Sequence, residues 1–213
     1  ALYISSGTWS LMGSESPQPG NDTESMDCGF TNEGGYGGTY RYLKNIMGLW
    51  MIQSVRNEIG RQYSFGEICR QASEQTITSV VDCNDASFLS PVSMVQAVQD
   101  YCRNTNQQIP VTLAELACVI YNSLAKCYGK TRQQIQELTG NRYDRIYVIG
   151  GGSQAEYLNQ RTAKYSECEV SAGPTEATAI GNLMCQMIHD GCFADLTQAR
   201  SCVIDSFAVK YYQ

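Results

Sequence analysis

The sequence predicts one α/β domain over residues 1–213. Three observations lead there. Short apolar runs at the amino end read as a strand hairpin, and the middle of the chain carries apolar residues at helical spacing. Near residue 145 an apolar strand runs into three glycines and then into a helix start. With 43% hydrophobic and 17% charged residues in 213 positions, the chain can bury a sizeable core and lies far from the composition of disordered proteins.

Leu2 to Ile4 suggests a strand, Ser5 to Gly7 a turn and Thr8 to Met12 a returning strand, with Gly20-Asn21-Asp22 opening a loop. Asn32-Glu33-Gly34-Gly35 reads as a glycine-rich turn. It leads into Tyr40 to Glu58, where Leu43, Ile46, Met47, Trp50, Met51 and Val55 recur at helical spacing and predict one long buried helix. Further helices are expected over Phe65 to Gln75, from just after Pro91 to about Arg103, and from the capping box Thr112-Leu-Ala-Glu115 to about Leu138, where Gly140 and Asn141 stop it. Arg145 to Ile149 is a strand, Gly150, Gly151 and Gly152 follow, and Ser153-x-x-Glu156 predicts the cap of a new helix. Cys168 to Ser171 reads as another strand, Pro174 to Met187 as a helix, and Asp195 to Val203 as a final one.

The charge balance limits the partners. A formal net charge of -6, from 15 basic and 21 acidic residues, argues against a nonspecific nucleic-acid binder, which needs a positive field to displace counterions. No apolar run approaches the roughly 20 residues of a membrane span. A soluble, cytoplasmic chain is expected. The start Ala-Leu-Tyr-Ile-Ser-Ser has neither an initiating Met nor a secretory pattern and reads as a strand entered mid-protein. Ten cysteines leave a disulfide framework open, although such scaffolds are usually shorter and denser in cysteine, and most of these thiols sit in helical patterns as small apolar filling. No Cys-x-x-Cys occurs and His189 is the single histidine, which disfavours zinc.

Chemistry is concentrated at two small-residue bends. Glycines between an apolar strand and a helix let backbone N–H groups approach phosphate oxygens, although such a turn also serves plain tight packing. The segment lacks the Gly-Lys-Ser/Thr of a P-loop and the spacing of the dinucleotide fingerprint. At Ser5-Ser6-Gly7-Thr8 the glycine allows close approach and the hydroxyls of Ser6 and Thr8 can donate to a phosphate; an ordinary hairpin turn is the alternative. Together the bends suggest a nucleotide gripped between a hairpin and a glycine loop.

Ser6-Gly-Thr-Trp-Ser-Leu11, Asn32-Glu-Gly-Gly35, Arg41-Tyr-Leu-Lys-Asn-Ile-Met-Gly-Leu-Trp50, Gly150-Gly-Gly-Ser-Gln154, Leu158-Asn-Gln160 and Gly173-Pro-Thr-Glu-Ala-Thr-Ala-Ile-Gly-Asn182 follow in order across nearly the whole chain. In these segments the sequence resembles the rhamnulokinases, within the FGGY family of carbohydrate kinases. The resemblance implies the actin-like ATPase (ribonuclease H-like) fold, a mixed sheet flanked by helices, as the C-terminal domain of a two-domain sugar kinase. It implies ATP and Mg2+, the metal being organised mainly by the other domain, and transfer of the γ-phosphate of ATP to the 1-hydroxyl of L-rhamnulose.

Carried over by position, Thr8, Gln53, Gly150, Gly151 and Gly152 are implied nucleotide contacts, and Asn45 is a polar group facing the cleft toward substrate. For Asn45 and Gln53 the plainer alternative is a polar residue that satisfies backbone on a buried helix. The family's catalytic aspartate lies in a His-Asp-Thr-type motif that has no counterpart in this sequence, and most sugar contacts are implied on the N-terminal domain. The chain alone is therefore expected to be inactive. Two other readings stay open: a kinase for another ketose, such as xylulose or fuculose, and a non-catalytic sensor or interaction domain with the same fold.

Overall fold

A computed structural model describes residues 1–213. The strands are β1 (Leu2–Ser6), β2 (Trp9–Ser16), β3 (Phe30–Gly34), β4 (Tyr40–Met47), β5 (Arg145–Ile149), β6 (Glu169–Ala172) and β7 (Lys210–Tyr212). The helices are α1 (Thr23–Asp27), α2 (Trp50–Glu58), α3 (Phe65–Ser73), α4 (Met94–Asn104), α5 (Leu113–Thr139), α6 (Glu156–Ser166), α7 (Ala177–His189) and α8 (Leu196–Ser206). All seven strands form one sheet in the order β3-β4-β2-β1-β5-β6-β7. β1, β5 and β6 run parallel, whereas β2, β3, β4 and β7 pair antiparallel to their neighbours. The mixed sheet with flanking helices agrees with the fold class that the sequence predicts.

Side-chain alternation divides the sheet into two unlike faces. On one, Leu2, Ile4, Met12, Ile46, Ile146, Val148 and Val170 are buried. The packing helix there is α5, which hydrogen-bonds through Tyr128 to Ser10 at 2.7 Å and accepts from Lys44 Nζ through Gln134 at 3.2 Å. The capping box at Thr112 is formed as expected, with Thr112 accepting from Glu115 N and Glu115 from the Thr112 backbone, so α5 starts at the next residue. The opposite face carries Ser5, Leu11 and Asn45 side by side in the ladder register, partly open to solvent. Five cysteines, Cys69, Cys83, Cys102, Cys118 and Cys168, are buried core residues. No helix is long and apolar enough to cross a membrane.

The long helix expected over Tyr40–Glu58 is two elements, strand β4 and helix α2. Tyr42, Leu43, Ile46 and Met47 are all buried, in neighbouring pairs four residues apart, because both faces of β4 are covered at those positions. Paired burial at that interval imitates helical periodicity, and ladder bonds to β2 and β3 decide for the strand. Asn32-Glu33-Gly34 belongs to strand β3 and not to a turn, since its backbone pairs with β4. Ser153 does not cap the next helix. It lies buried in a 3-10 turn over Gly151–Gln154, and α6 begins only after Ala155, without a side-chain cap. α7 starts at Ala177, three residues beyond the expected Pro174.

Candidate functional site

The parallel strands β1 and β5 are neighbours, with Ser5 opposite Ile149, so both end at the same edge of the sheet. Crevices at the carboxyl ends of parallel strands are where α/β sheets bind ligands. The Gly7-Thr8 bend follows β1 and the glycine turn follows β5. Between them lies an open cleft of about 570 Å3, lined by Ser5, Gly7, Trp9, Asn45, Gly150 and Gly151 among others. The two bends that the sequence singles out, at opposite ends of the chain, thus meet at one site.

The glycines of the turn differ in what they allow. Gly150 has φ 82° and ψ -170°, a left-handed φ that other residues rarely adopt, and a side-chain carbon there would lie 2.8 Å from the Ser6 carbonyl oxygen. At Gly152 such a carbon would meet Ser6 Cβ at 2.5 Å, so the absence of a side chain lets the turn pack onto β1. Gly151 has nothing within 4 Å of its missing Cβ and faces open space. Only Gly151 is a glycine whose bareness concerns the cleft and not the packing.

The turn is held from behind. Asn159 on α6 is buried and donates through Nδ2 to the carbonyl oxygens of Gly152 at 3.3 Å and Ser153 at 3.1 Å. From the loop after β6, Thr175 Oγ1 receives Gln154 Nε2 at 3.1 Å and lies 3.4 Å from Ser153 Oγ. The Leu158-Asn-Gln segment therefore has a physical use, which its sequence pattern alone did not disclose. Replacing Asn159 by leucine removes a donor from each of two carbonyls in the turn, Gly152 keeping the Ala155 amide, at a cost of about 1–3 kcal/mol. A thermal melt of the variant should show that loss as a midpoint lower by several degrees; an unchanged midpoint would refute the bracing role.

The hairpin bend is locked to α2. Leu49 N donates to the Gly7 carbonyl at 2.8 Å and Trp50 N to the Thr8 carbonyl at 3.0 Å, so the first amides of α2 are spent on the bend and not offered to a ligand. Gly48 permits this approach: a side-chain carbon there would lie 2.6–2.7 Å from the backbone of Gly7, Thr8 and Trp9. Trp50 Nε1 donates to the Phe88 carbonyl at 3.3 Å and anchors the helix on its far side.

Each residue singled out from the sequence has a defined position. Gly150 and Gly151 line the cleft, and Gly152 sits behind them. Thr8 is exposed on the bend between the lining residues Gly7 and Trp9, where its Oγ1 donates to Gln53 Oε1 at 3.3 Å; the two form a polar pair although 45 residues separate them, but neither lines the cleft itself. Asn45 lines the cleft, but from strand β4 opposite Leu11, not from a helix. Ser6 departs from expectation. Alternation turns its hydroxyl to the helix-covered face, where it is 1% exposed, so it cannot donate into the cleft with Thr8. Ser6 remains part of the cleft wall, while Ser5, one residue earlier, lines it from the open face of the strand; strand parity counted back from the bend is the signal that finds Ser5. No carboxylate lines the cleft.

The pattern described as the FGGY family of carbohydrate kinases, C-terminal domain, matches residues 2–189. The rhamnulokinase of Halalkalibacterium halodurans is 44% identical over 211 residues, covering 99% of this chain and 45% of that protein. The rhamnulokinase of Bacillus subtilis is 41% identical over 211 residues, covering 99% of this chain and 44% of that protein. The chain thus spans less than half the length of these relatives. Among solved structures, gluconate kinase from Lactobacillus acidophilus superposes with a TM-score of 0.70 at 11% identity, over 99% of this chain and 42% of that one. Plasmodium falciparum glycerol kinase with ADP gives a TM-score of 0.68 at 11% identity, over 100% of this chain and 42% of that one. The sheet and helices are those of the actin-like ATPase fold found in such sugar kinases.

Proposed function

Because the chain belongs to the FGGY family of carbohydrate kinases, in the part of it described as the C-terminal domain, we propose that residues 1–213 form the nucleotide-holding side of a rhamnulokinase-like cleft. The observation that carries this reading is the meeting of two bare bends, Gly7-Thr8 and Gly150–Gly152, at the carboxyl ends of adjacent parallel strands. In this reading the phosphates of ATP or ADP rest against the glycine turn, with Gly151 giving the closest approach. The Thr8–Gln53 pair marks the nucleotide side of the rim, and Asn45 the side toward the sugar. The transfer would run from the γ-phosphate of ATP to the 1-hydroxyl of L-rhamnulose.

ATP acts with magnesium, a cation that takes carboxylate, water and phosphate oxygens. The lining of this cleft offers hydroxyls, an amide and backbone but no carboxylate, so the residues present do not fit a magnesium cage of their own. We infer that the acid that organises the metal, the proton acceptor for the sugar hydroxyl and most sugar contacts come from a further N-terminal domain. Exposed apolar side chains support a covering partner: Trp9 on the cleft wall is 49% exposed, and elsewhere α7, despite Leu183, Met184, Met187 and Ile188, buries no residue. Phosphoryl transfer depends on positioning and charge from both walls, so the chain by itself should not phosphorylate a sugar.

The test is hydrogen exchange of the 213-residue chain with and without ADP. The reading expects slower exchange at residues 6–9 and 150–154. Protection confined to another region, such as the cavity that Lys44, Lys126 and Lys130 line beside α5, would overturn it. A panel of ketoses offered to a full-length protein would then separate rhamnulose from xylulose or fuculose as the acceptor.

A further inference from the structure

Away from the cleft, on the helix-covered face, Cys83 and Cys127 line a second cavity of about 360 Å3, together with Lys44, Asn84, Lys126 and Lys130. Cys83, in the loop before α4, is 1% exposed, whereas Cys127 on α5 is half-buried beside the exposed Lys126 and Lys130. The two thiols share the wall of this cavity, and each is the main influence on the other's proton. Asn84 Nδ2 also donates to Cys127 Sγ at 3.3 Å, and its Oδ1 accepts from Met47 N at 3.0 Å. One amide side chain thus ties Cys127 to the end of β4, directly before the Gly48-Leu49-Trp50 segment that docks on the hairpin bend.

We propose that Cys83 and Cys127 are a reversible dithiol–disulfide site, with Cys127 the thiol that meets a peroxide in the lysine-lined cavity and Cys83 the buried thiol that resolves it. The polarity of the pair follows from its surroundings. The Cys83 thiol donating to Cys127 holds the Cys127 thiol below its ordinary range against the opposing effect of burial, and Asn84 and Lys44 add to that while Asp82 opposes it. The same contact, together with burial, pushes Cys83 up and keeps it protonated. A thiolate that is accessible and next to a resolving thiol is the arrangement peroxide oxidation selects.

In the first step the Cys127 sulfur attacks one peroxide oxygen. An S–O bond forms, the O–O bond breaks, and the departing hydroxide takes up a proton to leave as water. In the second step the Cys83 sulfur attacks the Cys127 sulfenic acid. The S–S bond forms, the S–O bond breaks, and the second water leaves with the Cys83 proton. Two thiols have lost two electrons and two protons, and the peroxide has become two waters.

Oxidation also replaces the free Cys127 sulfur that accepts from Asn84 by a disulfide sulfur, a weaker acceptor, and so loosens the amide's hold on Met47. The experiment treats the chain with one equivalent of hydrogen peroxide, maps its peptides without reduction by mass spectrometry, and repeats the map after dithiothreitol. The expected result is a linked Cys83–Cys127 peptide pair, lighter by two hydrogens and restored by reductant, with faster hydrogen exchange at the Met47 amide in the oxidised chain. In Cys83→Ser, dimedone should trap a sulfenic acid at Cys127. Linkage of Cys127 to another cysteine, or oxidation confined to the exposed Cys185 and Cys192, would overturn the pair, and unchanged exchange at Met47 would overturn the tie through Asn84.

Discussion

Replacing Gly151 by valine should lower ADP affinity about ten-fold or more, a loss of about 1.4 kcal/mol per decade, while leaving the melting temperature of the chain unchanged. The added side chain enters open space on the cleft side of the turn, where the proposed phosphates come closest, and meets no protein atom within 4 Å of its Cβ. Gly152→Val should do the reverse of that pattern in stability. Its Cβ would stand 2.5 Å from Ser6 Cβ, on a strand fixed by ladders to both neighbours, so the glycine turn must be pushed off β1. Overpacking of this kind typically costs about 1–3 kcal/mol. Calorimetric titration with ADP and a thermal melt of both variants separate the two roles. If Gly151→Val binds ADP like the parent, the phosphate approach does not run past this glycine. If Gly152→Val melts like the parent, the turn is not packed as described.

Gly48→Val is expected to be the most damaging substitution near the site. Three backbone groups, from Gly7, Thr8 and Trp9, stand 2.6–2.7 Å from the new Cβ, and backbone cannot rotate aside as a side chain can. Relief requires parting α2 from the hairpin bend, which breaks the Leu49 and Trp50 amide bonds to that bend. The cost should reach about 3 kcal/mol, the upper part of the range for overpacked sites. For a domain of this size that corresponds to a fall in melting temperature of roughly 6–12 °C. ADP affinity should fall with it, since the Gly7-Thr8 bend loses its support. A variant that melts within a degree of the parent would show that α2 and the bend are not locked together.

The positions of the helices and strands were legible wherever one local signal dominated. The capping box at Thr112 and the glycine at 140 bracket α5 because both act within a single turn of chain. Arg145–Ile149 reads as a strand because it is short, apolar and bounded by glycine. The stretch from Tyr40 to Met47 does not read correctly, because a strand covered on both faces loses its alternation and gains a spacing that belongs to helices. Asn32–Gly34 fails for a related reason: a polar, glycine-containing edge strand is defined only by the partner to which it bonds. At the site, the glycines and Thr8 were visible as chemistry, but Asn159 and Thr175, which hold the turn from two other elements, carry no local mark of that work.

By itself the sequence determined the α/β class, the two glycine-bearing bends and, through its ordered motifs, the kinase family. Those are properties of residue type and spacing, and they survive in a linear text. Only the tertiary structure decided that the bends share one edge of the sheet, that the side chain of Ser5 and not that of Ser6 lies on the open face, and that Gly151 alone among the three glycines faces open space. Each of these depends on strand register and on which backbone lies against which, distances set by parts of the chain more than a hundred residues apart.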